Sequence, residues 1–432
     1  MIFSIAWKNM FRYKRRTLIT ASAIALGIMF SIMMEGMLFG ADQDSKRNLI
    51  WYETSAAKIY AASYFEQKET FPVQYFIDKE QRSVLDDFLK KKNIKFAPRF
   101  QTYCDIYFSE EFFETAGSIS GILSAVDVTK DSTVYKVSEE VERGSWLGDS
   151  KDASRDENGI STGAVIGSWL AKDMKAELGW YITIQCKGRG GFIQTMDIPI
   201  IGIIQSSNPI INASGVFMDL AFVNEMLELK GGVTEYSLSF GDISVSDKRY
   251  ETFRTEFKSS LFSSADSPLE LYSWRDIEAD FLALTKTKSA SSKFFLVFML
   301  IIAAVGISNT MLMAVMERKH EIGMLKTLGY TNKFIRSLFM LEGLCIGIIG
   351  SIAGLLLGFA VNFFMVQYGI NFGSLLEGVD IGYRISAVMR SGWNIPVFFL
   401  IAFGALIVSA LSAFIPSGKM VRVEIAEIFR EV

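Results

Sequence analysis

Apolar residues gather into four long blocks along the chain, and the positions between them are mixed or polar. Residues 18–34 run for 17 positions without a charge, and apolar character resumes after Glu35 as far as Phe39. Residues 294–316 give 23 uncharged positions, 343–367 give 25 with an apolar lead-in at 338–341, and 391–418 give 28. A bilayer core needs roughly 20 apolar residues in a helix, so the last three blocks qualify outright. The first rises about 25 Å and qualifies with Glu35 at the outer interface. Four transmembrane helices are expected. A basic start before an apolar run also fits a cleaved leader, but 17 apolar residues exceed the usual leader core and no A-x-A site follows.

Charge sets the orientation. Lys8, Arg12, Lys14, Arg15 and Arg16 precede the first span, Arg318, Lys319, Lys326, Lys333 and Arg336 lie between the second and third, and Lys419, Arg422 and Arg430 follow the fourth. The loop 368–390 holds only Arg384 and Arg390. Basic loops stay inside, so both termini are expected in the cytoplasm. The expected segments are 1–40 (basic start and first span), 41–293 (an extracytoplasmic domain with the start of a stalk helix), 294–316 (second span) and 317–337 (cytoplasmic loop). They continue with 338–367 (third span), 368–392 (outer loop), 393–416 (fourth span) and 417–432 (cytoplasmic tail).

The 41–293 segment carries 29 Lys/Arg and 38 Asp/Glu, enough chain for a core of its own. Residues 79–92 pattern as an amphipathic helix, 94–108 as extended chain, 234–245 as a strand, 248–262 as a helix and 269–274 as a strand. These fit β–α–β units of an α+β lobe. Between them 164–167, 180–186, 198–204 and 215–218 are short β-rich runs, expected to form a second, mostly β lobe inserted into the first. Residues 149–158 are expected to be a solvated loop. Residues 269–305 contain neither Gly nor Pro, so a helix starting near Trp274 can run unbroken to Met316, about 64 Å; a short linker at 285–292 before an ordinary span is the alternative.

Composition then narrows the chemistry. Half the 432 residues are hydrophobic, and the net charge is −3. That balance excludes nucleic-acid binding through a globally basic surface. A single histidine, His320, leaves little for histidine-based metal catalysis, and Cys104, Cys186 and Cys345 form no CxxC motif. A Cys104–Cys186 disulfide and two separate buried thiols both remain open. The chain has no Gly-x4-Gly-Lys-Ser/Thr phosphate loop, so it is expected to be non-catalytic and to bind no cofactor itself.

Residues 317–329 place Ile322, Leu325 and Leu328 on one helical face, with charges opposite. Gly329 suits a left-handed C-terminal position and Thr331 can cap the next helix. Such a helix docks a partner or rests on lipid. The run Asn309-Thr-Met-Leu-Met, then Glu317-Arg and Glu321-Ile-Gly-Met-Leu-Lys-Thr-Leu-Gly329, then Leu341-Glu-Gly343 with Gly347, Gly350, Gly354 and Gly358, resembles the FtsX-type permease segment shared by the MacB, LolC/LolE and FtsX families of ABC transporters. Trp7-Lys-Asn-Met-Phe-Arg, Gly144-Ser-Trp-Leu147, Val165-Ile-Gly-Ser-Trp-Leu and Leu178-Gly-Trp-Tyr-Ile-Thr are similar to the LolC/LolE-like subgroup. Ile425 departs from the Pro often found in the family's tail.

The resemblance implies an inner-membrane permease subunit with porter-like and sabre-like outer lobes. It implies a cytoplasmic ABC ATPase dimer holding ATP and Mg, a second permease subunit, and a periplasmic lipoprotein carrier. It makes Glu317, Arg318, Glu321, Gly323, Lys326 and Gly329 the candidates for ATPase coupling. Glu35 and Glu342 are the intramembrane polar residues, where a carboxylate is costly unless paired. Gly343, Gly347, Gly350, Gly354 and Gly358 have the spacing of close helix packing. Met29, Met33 and Met37 offer a flexible face that suits either acyl cargo or ordinary packing. MacB-like efflux, FtsX-like signalling to cell-wall hydrolases and a non-ABC receptor are the rival readings.

Overall fold

The computed structural model describes residues 12, 14–108, 117–149, 152, 154–241, 243–260, 262, 269–371 and 388–420. The motif at 7–11, Arg384, and the tail with Arg422, Ile425 and Arg430 lie outside these residues. The chain divides into two compact units, one holding Asp44–Leu282 and the other the helices that flank it in sequence.

The helical unit is built from α1 (Lys14–Leu49), α2 (Ala279–Glu317), α3 (Lys319–Thr327), α4 (Asn332–Gln367) and α5 (Ile395–Met420). Among the described residues, three helical stretches are long and apolar enough to cross a membrane: Thr17–Thr54, Asn332–Gln367 and Ile395–Phe414. The expectation of four spans is therefore met by three. The expected span 294–316 lies on α2, where many side chains fall outside the described residues. Ala21, Ile24, Ile28 and Ile32 of α1 pack with Cys345 and Ile346 of α4 and with Phe398, Ile401 and Ala405 of α5. The opposite faces stay apolar as well: Phe30, Leu356, Phe364, Phe399 and Phe403 are all exposed. A helix that is hydrophobic all round belongs in a core or a bilayer.

Helix α1 outlasts its apolar block, continuing through Lys46 and Arg47 to Leu49 before a π-turn at Ile50–Thr54. The Gly- and Pro-free stretch does form helix, in two pieces. Ser273 and Asp276 make a capping box that starts Trp274–Ile277. Glu278 then leaves helical geometry, and α2 runs 39 residues from Ala279. The helix is continuous through 285–292, where a linker was the alternative.

The sheet unit contains strands β1 (Ala57–Ala61), β2 (Lys95–Phe108), β3 (Gly117–Val126), β4 (Val141–Gly144) and β5 (Ala164–Gly167). It continues with β6 (Tyr181–Lys187), β7 (Ile193–Ile204), β8 (Gly215–Asp219), β9 (Glu235–Ser239) and β10 (Leu269–Ser273). Two lobes were expected, yet all ten strands form one sheet. Strand β2 joins them: at 14 residues it extends about 46 Å, enough to pair Lys95–Arg99 with β9 and Cys104–Tyr107 with β6 along one edge. Its other edge pairs with β3 over ten positions. Following the pairings β2–β3–β8–β5–β7–β6 and back to β2 gives a closed ring of six strands, with β9, β1 and β10 extending from the first half of β2. Inward residues such as Ile106, Leu123, Ile166, Ile184, Ile198 and Met218 belong to one core cluster.

Local chemistry explains where pattern and structure diverge. The strand expected at 234–245 ends at Ser239, because Gly241 takes φ +92° and turns the chain. The following helix starts earlier than expected and spans Ile243–Lys258. The loop at 149–158 is not uniformly solvated. Asp152 is buried and accepts bonds from the Gly148 and Ser154 amides and the Ser154 hydroxyl; 150, 151 and 153 lie outside the described residues.

Candidate functional site

The connection from α2 to α4 is fixed by turn chemistry where α3 ends and α4 begins. Gly329 adopts φ +84°, the Tyr330 amide donates to the Leu325 carbonyl at 3.1 Å, and the Gly329 amide donates to Lys326 at 3.0 Å. This is a Schellman ending, which only a residue at ease in the left-handed region closes cheaply. Two residues later the Thr331 hydroxyl accepts from the Phe334 amide and starts α4. Helix α3 is thereby folded back against its neighbours: Ile322 packs with Val315, Ile335 and Phe339, and Leu325 joins the edge of that cluster. Leu328, assigned by periodicity to the same face, points away and is 75% exposed, as Met324 is 53% exposed.

Arg318, at the junction of α2 and α3, is the electrostatic centre of this connection. Its Nη1 donates to both oxygens of Glu342 at 2.8 and 2.9 Å, and its Nε donates to Glu321 Oε2 at 2.6 Å. The guanidinium also lies over the Phe339 ring, 5.3 Å from the centroid. Arg318 and Glu342 are only 6% and 2% exposed. A carboxylate this far from solvent is tolerable only with such a partner, and here one guanidinium nitrogen reaches both of its oxygens while Nε holds Glu321. Glu321 in turn accepts from Arg12 Nη1 at 3.2 Å. The chain of charge thus runs from Arg12, just ahead of α1, through α3 into α4. Glu317 is exposed, Gly323 is buried in the packed face of α3, and Lys326 is half-buried.

The glycines expected at helix contacts sit at two different ones. A Cβ on Gly350 would lie 2.8 Å from Ile24 Cβ, on Gly354 2.8 Å from Ile28 Cβ, and on Gly358 2.7 Å from Ile32 Cδ1, so these three receive α1. Gly347 instead faces α5, where Ser409 Cβ would be 2.8 Å away. The Ser409 hydroxyl donates to the Gly343 carbonyl at 2.7 Å. Met29, Met33 and Met37 are all half-buried.

At the other end of the helices Glu35, expected at the outer interface, sits in a polar cluster whose other members hydropathy reading passes over. Glu35 accepts from Asn394 Nδ2 at 3.1 Å, the Gly392 amide donates to the Gly36 carbonyl at 2.8 Å, and the fully buried Asn362 donates to Gly392 and accepts from Ser391. For Asn362, Ser391 and Asn394 the residue type is the only signal, and Asn and Ser occur too widely to single these out. In the sheet unit, a cavity of about 140 Å³ is lined by Lys58, Tyr64, Arg99 and Glu235. Its charges are already matched: Lys58 meets Glu235 at 2.8 Å, and Arg99 meets Asp131 at 2.7 Å. No cluster of three metal-binding side chains occurs among the described residues.

Comparison with known proteins bears on this geometry. Residues 293–425, which include the whole α3 connection, match the family described as FtsX-like permease C-terminal. The chain is 28% identical over 184 residues to the ABC transporter permease YtrF of Bacillus subtilis, covering 39% of this chain and only 38% of that protein. It is 24% identical over 373 residues to an uncharacterised ABC transporter permease of Methanocaldococcus jannaschii, covering 83% and 82%. It is 24% identical over 275 residues to the lipoprotein-releasing system transmembrane protein LolE of Haemophilus influenzae, covering 62% and 64%.

Proposed function

We propose that this chain, whose residues 293–425 match the family described as FtsX-like permease C-terminal, is the membrane subunit of an ABC transporter whose ATP and Mg are held by a separate cytoplasmic ATPase dimer. The observation that carries the reading is α3. It is bound to the helical core by Ile322 and by the Arg318–Glu342 pair, yet it presents Met324 and Leu328 outward. Two exposed apolar side chains one turn apart on an anchored helix fit a groove on a partner. Closure of the ATPases shifts α3. Because Arg318 grips Glu342, the displacement passes to α4 as well as into α2. Helix α2 then carries it along its 39 residues towards Ala279. In this reading there are four spans, both termini face the cytoplasm, and the sheet unit lies outside the inner membrane.

For cargo, we favour extraction of lipoproteins from the outer leaflet and their transfer to a periplasmic carrier, with a second permease subunit, identical or related, completing the channel-free machine. The likeness to LolE over 62% of the chain supports this. MacB-like efflux, FtsX-like signalling and a non-ABC receptor are the rivals.

The test is purification from native membranes in gentle detergent, with mass spectrometry of everything bound. An ATP-binding protein in stoichiometric amount and lipid-modified peptides are expected. Leu328→Glu should remove the ATPase while leaving the permease folded. An intact permease that reproducibly carries no ATPase would overturn the transporter reading and favour the receptor. Bound ATPase with no lipoprotein across cargo-trapping conditions would remove the lipoprotein assignment alone.

A further inference from the structure

We propose that Cys104 and Cys186 become joined by a disulfide that fastens β2 to β6 and locks the six-stranded ring shut. The two residues are direct partners across the antiparallel β2–β6 pair. Residues so placed have Cα atoms about 4.5–5.5 Å apart, inside the roughly 4.4–6.8 Å that a disulfide spans. Direct partners also project to the same face, and both thiols are buried in the same core cluster, 3% and 4% exposed. On its other flank Cys104 pairs with Gly121, where a Cβ would stand 3.3 Å from the Cys104 sulfur. The glycine thus leaves that sulfur room. The seam itself is short, with four paired positions against ten between β2 and β3.

In the structure both cysteines are free thiols. The bond needs an oxidising compartment, so it rests on the sheet unit lying outside the cytoplasm. The chemistry balances as thiol–disulfide exchange with a dithiol oxidase of that compartment. One cysteine thiolate attacks the oxidase disulfide and displaces one oxidase thiolate. The second cysteine thiolate attacks the mixed disulfide and displaces the other. The protein loses two protons and two electrons, and the oxidase leaves as a dithiol. Burial pushes both thiols up to about 12, which starves the finished fold of thiolate. Exchange therefore belongs to the folding stage, before the ring interior is covered, and afterwards the bond is shielded from reductants.

The experiment uses the full chain in native membranes, quenched in acid, denatured and alkylated with N-ethylmaleimide, then reduced and labelled with a heavier maleimide. Peptide mass spectrometry is expected to find the heavy label on Cys104 and Cys186 and the light label on Cys345. In Cys186→Ser, Cys104 should change to the light label. Light label on both cysteines of the unsubstituted chain overturns the proposal, as does heavy label on Cys104 when Cys186 is replaced. A Ser83→Cys reporter, at an exposed position of the sheet unit, is treated with membrane-impermeant maleimide in intact spheroplasts. Modification there together with reduced thiols sinks the disulfide and leaves the topology standing; no modification together with reduced thiols sinks both.

Discussion

Glu342 shows how far a single residue can be understood before its neighbours are known. A carboxylate near the start of an apolar run needs a partner, and that much follows from the cost of burying charge. The identity of the partner does not, because it depends on how tightly the chain turns at Gly329 and on the register of α4 against α2. Arg318 and Glu342 both lie near the same end of a helical hairpin, which is the signal that points to the pair in retrospect. Removing one partner strands the other: Glu342→Ala should cost about 3–5 kcal/mol, seen as a lower melting temperature of the purified protein. Arg318→Met with Glu342→Leu together should recover most of that loss and still fail to couple ATP hydrolysis. The same reasoning in the sheet unit applies to Arg99, which is 1% exposed, forked onto Asp131 and stacked 3.4 Å over the Tyr135 ring. Asp131→Ala should be among the most destabilising single changes there. Glu321 also changes meaning. Its bonds to Arg318 and Arg12 mean that Glu321→Lys would loosen α3 from within, so Leu328 is the cleaner probe of a docking face.

At the scale of elements, helices with strong punctuation were legible, and strands whose limits depend on pairing were not. Gly329 and Thr331 announce the end of α3 and the start of α4, and the structure has both caps. By contrast β1, β3 and β4 escape hydropathy reading, because what makes them strands is pairing with other segments, which the pattern along one segment does not record. The glycine stripe is readable as packing, but its division between α1 and α5 is not. That division makes a sharp prediction. Gly354→Ala puts a methyl 2.9 Å from the Ala25 carbonyl and 2.8 Å from Ile28 Cβ, contacts that must open the α1–α4 interface, at about 1–3 kcal/mol. Gly27→Ala, with nothing within 4 Å of the added carbon, should be neutral or slightly stabilising. Thermal unfolding of the two variants side by side separates crowding from any general effect of the substitution.

At the scale of the molecule, the unbroken helix from Ala279 to Glu317 is the feature on which the proposed transmission depends. Thr287→Pro should interrupt its hydrogen bonding and kink it. We expect ATPase binding to survive, since α3 is untouched, while transport-linked ATP turnover falls several-fold; full turnover in a folded variant would argue against a lever. Sequence pattern supplied this helix because Gly and Pro are absent over a long stretch. The closed ring was beyond its reach. Closure is a property of β2 having two successive partners along one edge, and periodicity within β2 is the same whichever strands lie beside it.

That closure also bears on how the sheet unit avoids association with other chains. Six of the ten strands have a ring neighbour on each side over at least part of their length, which leaves little edge on which a stranger's backbone could zipper. The sheet terminates in β4, only four residues long and carrying Glu142 and Arg143, and in the five-residue β10. Short or charged borders resist self-association. The sheet unit is thus built so that its own main chain gives aggregates little to grow from.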